Sequence, residues 1–338
     1  MEEFHLTKDT KLFIRENVLA IICDNALKTI SSAIFNGGSK QVRAVLNVGV
    51  PEGYSDLSLH LDPLQLIVSS AAKVGIAQDY LAMVTAAKIK NYSLVSKRTA
   101  DYTVCVVATA GCSHGESSGE NMAVDEITGT INIIVFIEGN PTESCMVAAL
   151  ITATEAKSAA LRDFDVRSRY TGDSATGSIT DAVTIASTGR GREVVLGGPA
   201  SKLGKLVGYC ARRAVTEALL KQEPIWANRS VFDRLEERHL SLEKLSSEVS
   251  KVEGLVISTK ELAGILRGKP QMLAALLAAV KMDDDYNKNL LPSDFKTWEA
   301  ACQCSEIDQD VAGYGAVNLP PFVRAELIKI IKATRSTS

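Results

Sequence analysis

Thr130-Ile131-Asn132-Ile133-Ile134-Val135-Phe136-Ile137, followed by Pro141-Thr142 and the alanine-rich run Glu143 to Phe164, is the stretch whose reading decides the fold. The first segment is short, apolar and β-branched, with polar Thr130 and Asn132 at its start. Length and branching mark it as a buried strand. Pro141-Thr142 then opens the clearest helix of the chain, Glu143 to Phe164. Its alanines (Ala148, Ala149, Ala153, Ala156, Ala159 and Ala160) allow it to lie close against a sheet or another helix. A buried strand feeding a close-packed helix calls for a layered domain of sheet and helices.

The same logic extends outward in both directions. Upstream, Tyr102 to Ala108 is a second buried strand, and it empties into the polar loop Thr109 to Gly119. Lys11 to Ile22, Lys28 to Phe35 and Val42 to Val48 are apolar runs in hairpin-like succession, punctuated by Asn36-Gly37-Gly38 and Gly49-Val50-Pro51. Asp62-Pro63 starts a helix with Leu64, Ile67, Val68, Ala71 and Ala72 on one face, and Tyr80 to Ile89 reads as a strand. Downstream, Thr176 to Ala186 is a strand interrupted by Thr180-Asp181, and Ser201 to Lys221 is a helix stopped by Pro224. The expected fold class is α+β, a mixed central β-sheet packed with helices. Strand signals then vanish. Arg229 to Val252, Ser258 to Leu266, Pro270 to Met282 (ended by Asp283-Asp284-Asp285), Ser293 to Ala301 and Pro321 to Ala333 read as helices. The expected organisation is a catalytic domain over 1–225 and a smaller all-helical domain over 226–338. The apolar stripes of that tail need burying, as a lid, a dimer contact or a partner-docking surface, which leaves a homo-oligomer open.

Composition narrows the function classes. Of 338 residues, 37 are Lys or Arg and 40 are Asp or Glu, giving a net charge of −3 with no basic block. Aromatics are 5%, too few for a base-stacking platform, so no nucleic-acid partner is expected. Apolar runs of about ten residues are too short to cross a bilayer, so membrane insertion is not expected. Met1 to Thr10 lacks the apolar stretch of a secretory leader, and the seven cysteines are odd in number and scattered through apolar segments. A reducing, cytoplasmic setting is the expectation.

Few residues suit metal or phosphate chemistry. His5, His60, His114 and His239 are far apart, and Cys302-Gln303-Cys304 is a lone pair that reads as two ordinary helix thiols. Gly197-Gly198-Pro199 is not a nucleotide loop, and Gly189-Arg190-Gly191-Arg192 reads as a solvated turn that is also able to meet a carboxylate. Three segments stand out. The Thr109–Gly119 loop gathers hydroxyls, a thiol, His114 and Glu116 behind a buried strand. Thr152-Ala153-Thr154-Glu155-Ala156-Lys157-Ser158 puts polar groups into an alanine helix, with Thr152, Glu155 and Ser158 on one face. A carboxylate there suits a general acid or base, while Lys157 points elsewhere. Asp181 interrupts an apolar strand, a costly place for a charge unless it is paired or faces a cleft.

These segments, taken in order, resemble the adenosylcobinamide amidohydrolase family. The pieces are Thr109-Ala110-Gly111-Cys112-Ser113, Gly129-Thr130-Ile131-Asn132-Ile133, Thr152 to Lys157, Gly177-Ser178-Ile179-Thr180-Asp181-Ala182, and Gly198-Pro199-Ala200 through Gly204. Asn36-Gly37-Gly38, Leu46-Asn47 and Thr85-Ala86-Ala87 extend the match upstream. The family has Asn-Ala where this chain has His114-Gly115, and the tail from about Trp226 lies outside the resemblance.

The resemblance implies hydrolysis of the amide joining a corrin side chain to aminopropanol, giving adenosylcobyric acid in corrinoid salvage. Cobalt then belongs to the corrinoid substrate and no cofactor is expected on the protein. Catalytic candidates are Glu155 as base, Lys157 or His114 as the proton source for the amine, and Asp181 as an orienting group. Asn36, Gly37, Asn47, Thr109, Gly111, Ser113, Asn132 and Thr180 are the expected substrate-binding positions. A water nucleophile and an acyl-enzyme on Thr109, Cys112 or Ser113 both remain open. The alternatives are a corrinoid-binding or carrier module without activity, and an amidase for a different amide.

Overall fold

The structure is a computed structural model that describes residues 2–51, 62–113, 115–120, 129–292 and 314–335. His114, Cys302-Gln303-Cys304 and the helix expected over Ser293–Ala301 lie outside the described residues. The backbone divides into two compact units, Met1–Arg229 and Ser230–Ser338.

The first unit is built on a nine-stranded mixed sheet. Strands β1 (Glu2–Thr7), β2 (Thr10–Arg15), β3 (Val18–Ser31) and β4 (Gly38–Gly49) follow one another as antiparallel neighbours. Helix α1 (Pro63–Lys73), capped by Asp62, leads to β5 (Tyr80–Thr85), which lies parallel to β4. Strands β6 (Ser93–Arg98), β7 (Thr103–Gly111) and β8 (Thr130–Glu138) form an antiparallel meander. The short β9 (Asn140–Pro141) precedes helix α2 (Glu143–Asp163), which crosses over to β10 (Ala182–Ser187), parallel to β8. The short β11 (Glu193–Val194) pairs with β9, and helix α3 (Lys202–Gln222) and the single turn α4 (Ile225–Asn228) complete the unit.

Strand β3 decides how the sheet curls. Its first half pairs with β2 and its last four residues pair with β10, while β4 follows it throughout with a register shift between Ile22 and Leu27. At that irregularity Asp24, Asn25 and Ala26 are exposed, and bulges of this kind bend a strand. The sheet folds over itself, so that Leu19, Ile21, Leu81 and Met83 meet Val107, Ile134, Phe136 and Ala186 in an inner core. One outer face packs Val48, Ala82 and Leu46 on Ile67 and Ala71 of α1. The other packs Val106, Ile133, Val135 and Ile185 on the alanines of α2 and on Val207, Ala211 and Ala214 of α3. This layering explains why β8 and β10 are apolar on both faces, with every residue of β10 and all but the last of β8 buried.

Small residues bring the α2–α3 layer together. A Cβ on Gly197 would sit 2.1 Å from the Cys145 carbonyl oxygen, and one on Gly204 would sit 1.9 Å from that of Gly198. The Gly197–Gly204 run is therefore a packing device that seats the start of α3 against α2. In the turn Gly189–Arg192, Arg190 is ion-paired with Asp9.

The strand read over Thr176–Ala186 is shorter than expected. Only Ala182–Ser187 is strand, and residues 176–181 form the turn before it. Asp181 accepts from the backbone N–H groups of Ile131 (2.9 Å) and Ser178 (3.0 Å), so its carboxylate organises that turn instead of interrupting a ladder.

The second unit is mostly helical: α5 (Val231–Glu236), α6 (Leu242–Val249), α7 (Thr259–Gly268), α8 (Pro270–Asn287) and α9 (Pro321–Arg335). Leu245, Leu262, Leu266, Leu276, Val323 and Leu327 are at the centre of its core. The periodicity over Arg229–Val252 belongs to two helices, because His239 turns the chain at φ +59° between them. Helix α8 continues through Asp283-Asp284-Asp285 instead of ending there. Asp283 is buried and accepts from the N–H groups of Phe322 (2.9 Å) and Val323 (2.8 Å) in the first turn of α9. Burial pushes its carboxyl from the ordinary 3.8 up to about 6, against the pull of those two amides. A raised carboxyl favours the folded state fully below its unfolded value, and that contribution is lost as pH rises through about 6. The unit is expected to lose up to about 3 kcal/mol between pH 4 and pH 7 from this group. Asp283→Asn should flatten the dependence, read from hydrogen-exchange protection of α8 and α9 amides in the full chain. An unchanged slope in the variant would remove Asp283 as its source.

Candidate active site

The polar residues singled out in the sequence fall into three places. The first is a buried network linking the two layers of the folded sheet. Asn132, near the start of β8, donates its amide hydrogens to Asn47 Oδ1 (2.8 Å) and to the Val84 carbonyl (2.8 Å). Its own Oδ1 accepts from the Ala182 N–H at 3.2 Å. Asn47 on β4 donates to Thr109 Oγ1 on β7 at 2.8 Å, and Thr109 donates on to Thr85 Oγ1 at 3.4 Å. Asn47, Thr109 and Asn132 are 1–2% exposed, and Asn132 has both amide hydrogens engaged. The network therefore fixes the strand ends relative to one another.

The second place surrounds Cys112, just past β7. Lys157 projects from α2 toward the sheet, is 7% exposed, and forms an ion pair with Asp181. Asp181 also accepts from the Ser178 hydroxyl. Next to it, Thr180 and Thr130 share a hydroxyl hydrogen bond of 2.8 Å. The Cys112 thiol lies 3.9 Å from the Gly177 carbonyl oxygen. A Cβ on Gly177 would fall 2.4 Å from Asp181 Oδ2 and 2.7 Å from Lys157 Nζ, so only glycine leaves room for the pair. On the other side, Glu223 at the end of α3 accepts from the Cys112 N–H (3.1 and 3.2 Å), the Ser113 hydroxyl (2.8 Å) and the Trp226 indole N–H (2.5 Å). Gly111 lies against the same carboxylate. Burial first, then the charges of Asp181 and Glu223, push the Cys112 thiol far above its ordinary range. The loop continues as a docked segment: Gly115 bridges to Ser168 and Glu116 to Gly177, and Glu120 accepts from Ser168 at 2.7 Å.

The third place lies on the open side of α2. Residues 155 and 157 are about 200° apart around a helix, so Glu155 and Lys157 face opposite ways. Glu155 is exposed and lines a groove of about 820 Å³ between α2 and α3, with Arg162, Lys205, Tyr209 and Arg212. Thr152, below it, donates to the Gly197 carbonyl at 3.1 Å. Asn36 and Gly37 stand apart from all three. Asn36 adopts φ +53° in the β3–β4 turn and donates to the Tyr80 carbonyl at 2.9 Å. Tyr80 begins β5, and the buried network meets that strand at Val84 and Thr85 near its other end, so Asn36 lies away from the network. A Cβ on Gly37 would meet the Ala33 carbonyl at 2.2 Å, so this glycine serves the turn.

Sequence reasoning missed the pairing of Lys157 with Asp181, and it missed Glu223 altogether. Spacing signals local neighbours, and both contacts join residues 24 or more apart. The only sequence trace of Glu223 is a carboxylate just ahead of Pro224, where a helix must stop.

The model of the adenosylcobinamide amidohydrolase family matches residues 3–226. The chain belongs to that family. It is an enzyme of amidohydrolase type by this membership. An adenosylcobinamide amidohydrolase of Methanosarcina mazei is 28% identical over 224 residues, covering 65% of this chain and 94% of its own. An uncharacterized protein of Methanocaldococcus jannaschii is 29% identical over 209 residues, covering 56% of this chain and 81% of its own. Among solved structures, the PH0078 protein from Pyrococcus horikoshii aligns over 63% of this chain and 83% of its own, with a TM-score of 0.36 at 11% identity. The amidohydrolase match stops at the end of the first unit, so the helical unit is an addition to the part that defines the family. No helix among the described residues is long and apolar enough to cross a membrane.

Proposed function

We propose that the enzyme hydrolyses the amide that joins the corrin side chain to aminopropanol in adenosylcobinamide, releasing adenosylcobyric acid for corrinoid salvage in the cytoplasm. The observation that carries this reading is the meeting of Gly111–Ser113, Gly177, Asp181 and Lys157 around Cys112, from three segments of the family's motif run. In this reading cobalt arrives with the corrinoid, and no cofactor of the protein takes part. Residues 1–225 carry the reaction, and the helical unit serves as a lid, a dimer contact or a docking surface.

Amide hydrolysis needs a nucleophile, stabilisation of an oxyanion, and a proton for the departing amine. The buried network of Asn47, Thr109 and Asn132 holds the strand ends that carry the site. The Lys157–Asp181 pair holds the 177–181 turn against Cys112, the neighbour of Ser113, and in this reading its ammonium supplies positive charge near the developing oxyanion. His114, within the same loop, is a further candidate proton source. Incubation with adenosylcobinamide should yield adenosylcobyric acid and aminopropanol, followed by liquid chromatography and mass spectrometry. Binding without either product would instead describe a corrinoid carrier.

Glu155 receives no part in this chemistry, because α2 turns it away from the Lys157 side. Glu155→Gln should keep turnover within about threefold of the parent, as for an exposed substitution away from the site. A loss of about 100-fold would return the base role to Glu155.

A further inference from the structure

We infer that Ser113 is the nucleophile and that Glu223 is the base that takes its proton; this rests on the amide-hydrolase reading above. The acyl-enzyme reading offers Thr109, Cys112 and Ser113 as nucleophiles, and the structure separates them. Thr109 is 1% exposed, and its hydroxyl is engaged with Asn47 and Thr85. Cys112 is wholly buried with its thiol against the Gly177 carbonyl. Neither can be reached by an amide on a bulky substrate. Ser113 is exposed, and its hydroxyl donates to Glu223 Oε1 at 2.8 Å. A nucleophile within hydrogen-bond reach of a base that is itself oriented by a third group is the arrangement an activated hydroxyl requires. Here the orienting groups are the Trp226 indole, which donates to Glu223 Oε2, and the Cys112 amide, which is shared between the two oxygens.

The plain alternative is that Glu223 only clamps the loop to α3. A clamp is satisfied by the Cys112 amide and the indole. The bond to Ser113 is additional and lies at the exposed edge. As chemistry, Ser113 Oγ attacks the amide carbonyl carbon while its proton passes to Glu223. The tetrahedral adduct collapses with cleavage of the C–N bond, and Glu223 returns the proton to the leaving nitrogen, which departs as aminopropanol. The corrin acid remains as an ester on Ser113. Water then attacks that ester, giving its proton to Glu223. Ser113 Oγ leaves and recovers the proton, and the free acid is released.

The test uses the full chain and a fluorophosphonate probe, which reports an activated serine without depending on the natural substrate. Peptide mapping should place the label on Ser113, and Ser113→Ala should abolish it. Glu223→Gln keeps an acceptor for the Cys112 amide but cannot take a proton, so it should label at least about 100-fold more slowly while melting like the parent. A label on Thr109 or Cys112, or none on Ser113, overturns the proposal. So does labelling of Glu223→Gln at the parental rate. If that variant does not fold, Glu223→Asp, which draws the carboxylate back from the Ser113 hydroxyl, takes its place, and labelling of it at the parental rate overturns the base role. Labelled Ser113 in a protein that leaves adenosylcobinamide intact supports the nucleophile and refutes the substrate.

Discussion

Asp181→Ala is expected to destabilise the first unit by about 3–5 kcal/mol and to abolish turnover. The side chains of Lys157 and Asp181 are 9% and 12% exposed, so removing the carboxylate leaves an ammonium with little water around it. It also removes the acceptor for the N–H groups of Ile131 and Ser178. The turn loses its anchor to β8 and α2 together. The pair itself need not be a net gain over apolar residues of the same shape; the cost comes from breaking it on one side. The double variant Asp181→Ala, Lys157→Met should therefore recover part of the lost stability in urea unfolding, but no activity. A double variant no more stable than Asp181→Ala alone would show that the amide donors left without an acceptor, and not the stranded charge, account for the loss.

Asn132→Leu is expected to cost about 3–5 kcal/mol although the two side chains are similar in size. The change leaves the Val84 carbonyl, Asn47 Oδ1 and the Ala182 N–H buried without their partner. Each such group costs about 1–3 kcal/mol when its hydrogen bond is removed and water cannot reach it. Because those groups sit on β4, β5 and β10, the loss is felt across both layers of the sheet. Hydrogen exchange should show lost protection in β5 and β10 beyond that in β8. Protection lost in β8 alone would mean the layers are held by their apolar core without this network.

The elements were legible where burial writes a pattern. Apolar runs located β7 and β8, and alanine content with the Thr142 cap located α2. Asp181 was also recognisable as a charge in need of a partner. Several features were not legible. The curl of the sheet depends on one irregularity in β3 between Ile22 and Leu27, and its polar Asp24-Asn25 reads in the sequence as a break between two runs instead of a bend within one strand. The end of α8 was misread because three aspartates resemble a stop, and only the tertiary position of α9 shows that Asp283 caps another helix. Within the site, Glu155 drew attention as the carboxylate in an alanine helix. The helix phase alone separates it from Lys157, and the sequence does not say which of the two faces the sheet. Glu223 was invisible because its partners in the site, Cys112 and Ser113, come from a loop more than 100 residues earlier.

Strand β3 has a consequence for how this chain is made. Ser31 and Thr184 share a buried hydroxyl hydrogen bond across 153 residues of sequence. The first four strands leave the ribosome long before β10 exists. Until Thr184 has been synthesised, the last turn of β3 presents open backbone groups and an uncovered inner face. A truncated product ending between β4 and β7 carries all of the N-terminal hairpins and none of their closure, which makes such an incomplete chain of this protein a substrate for chaperones or for self-association.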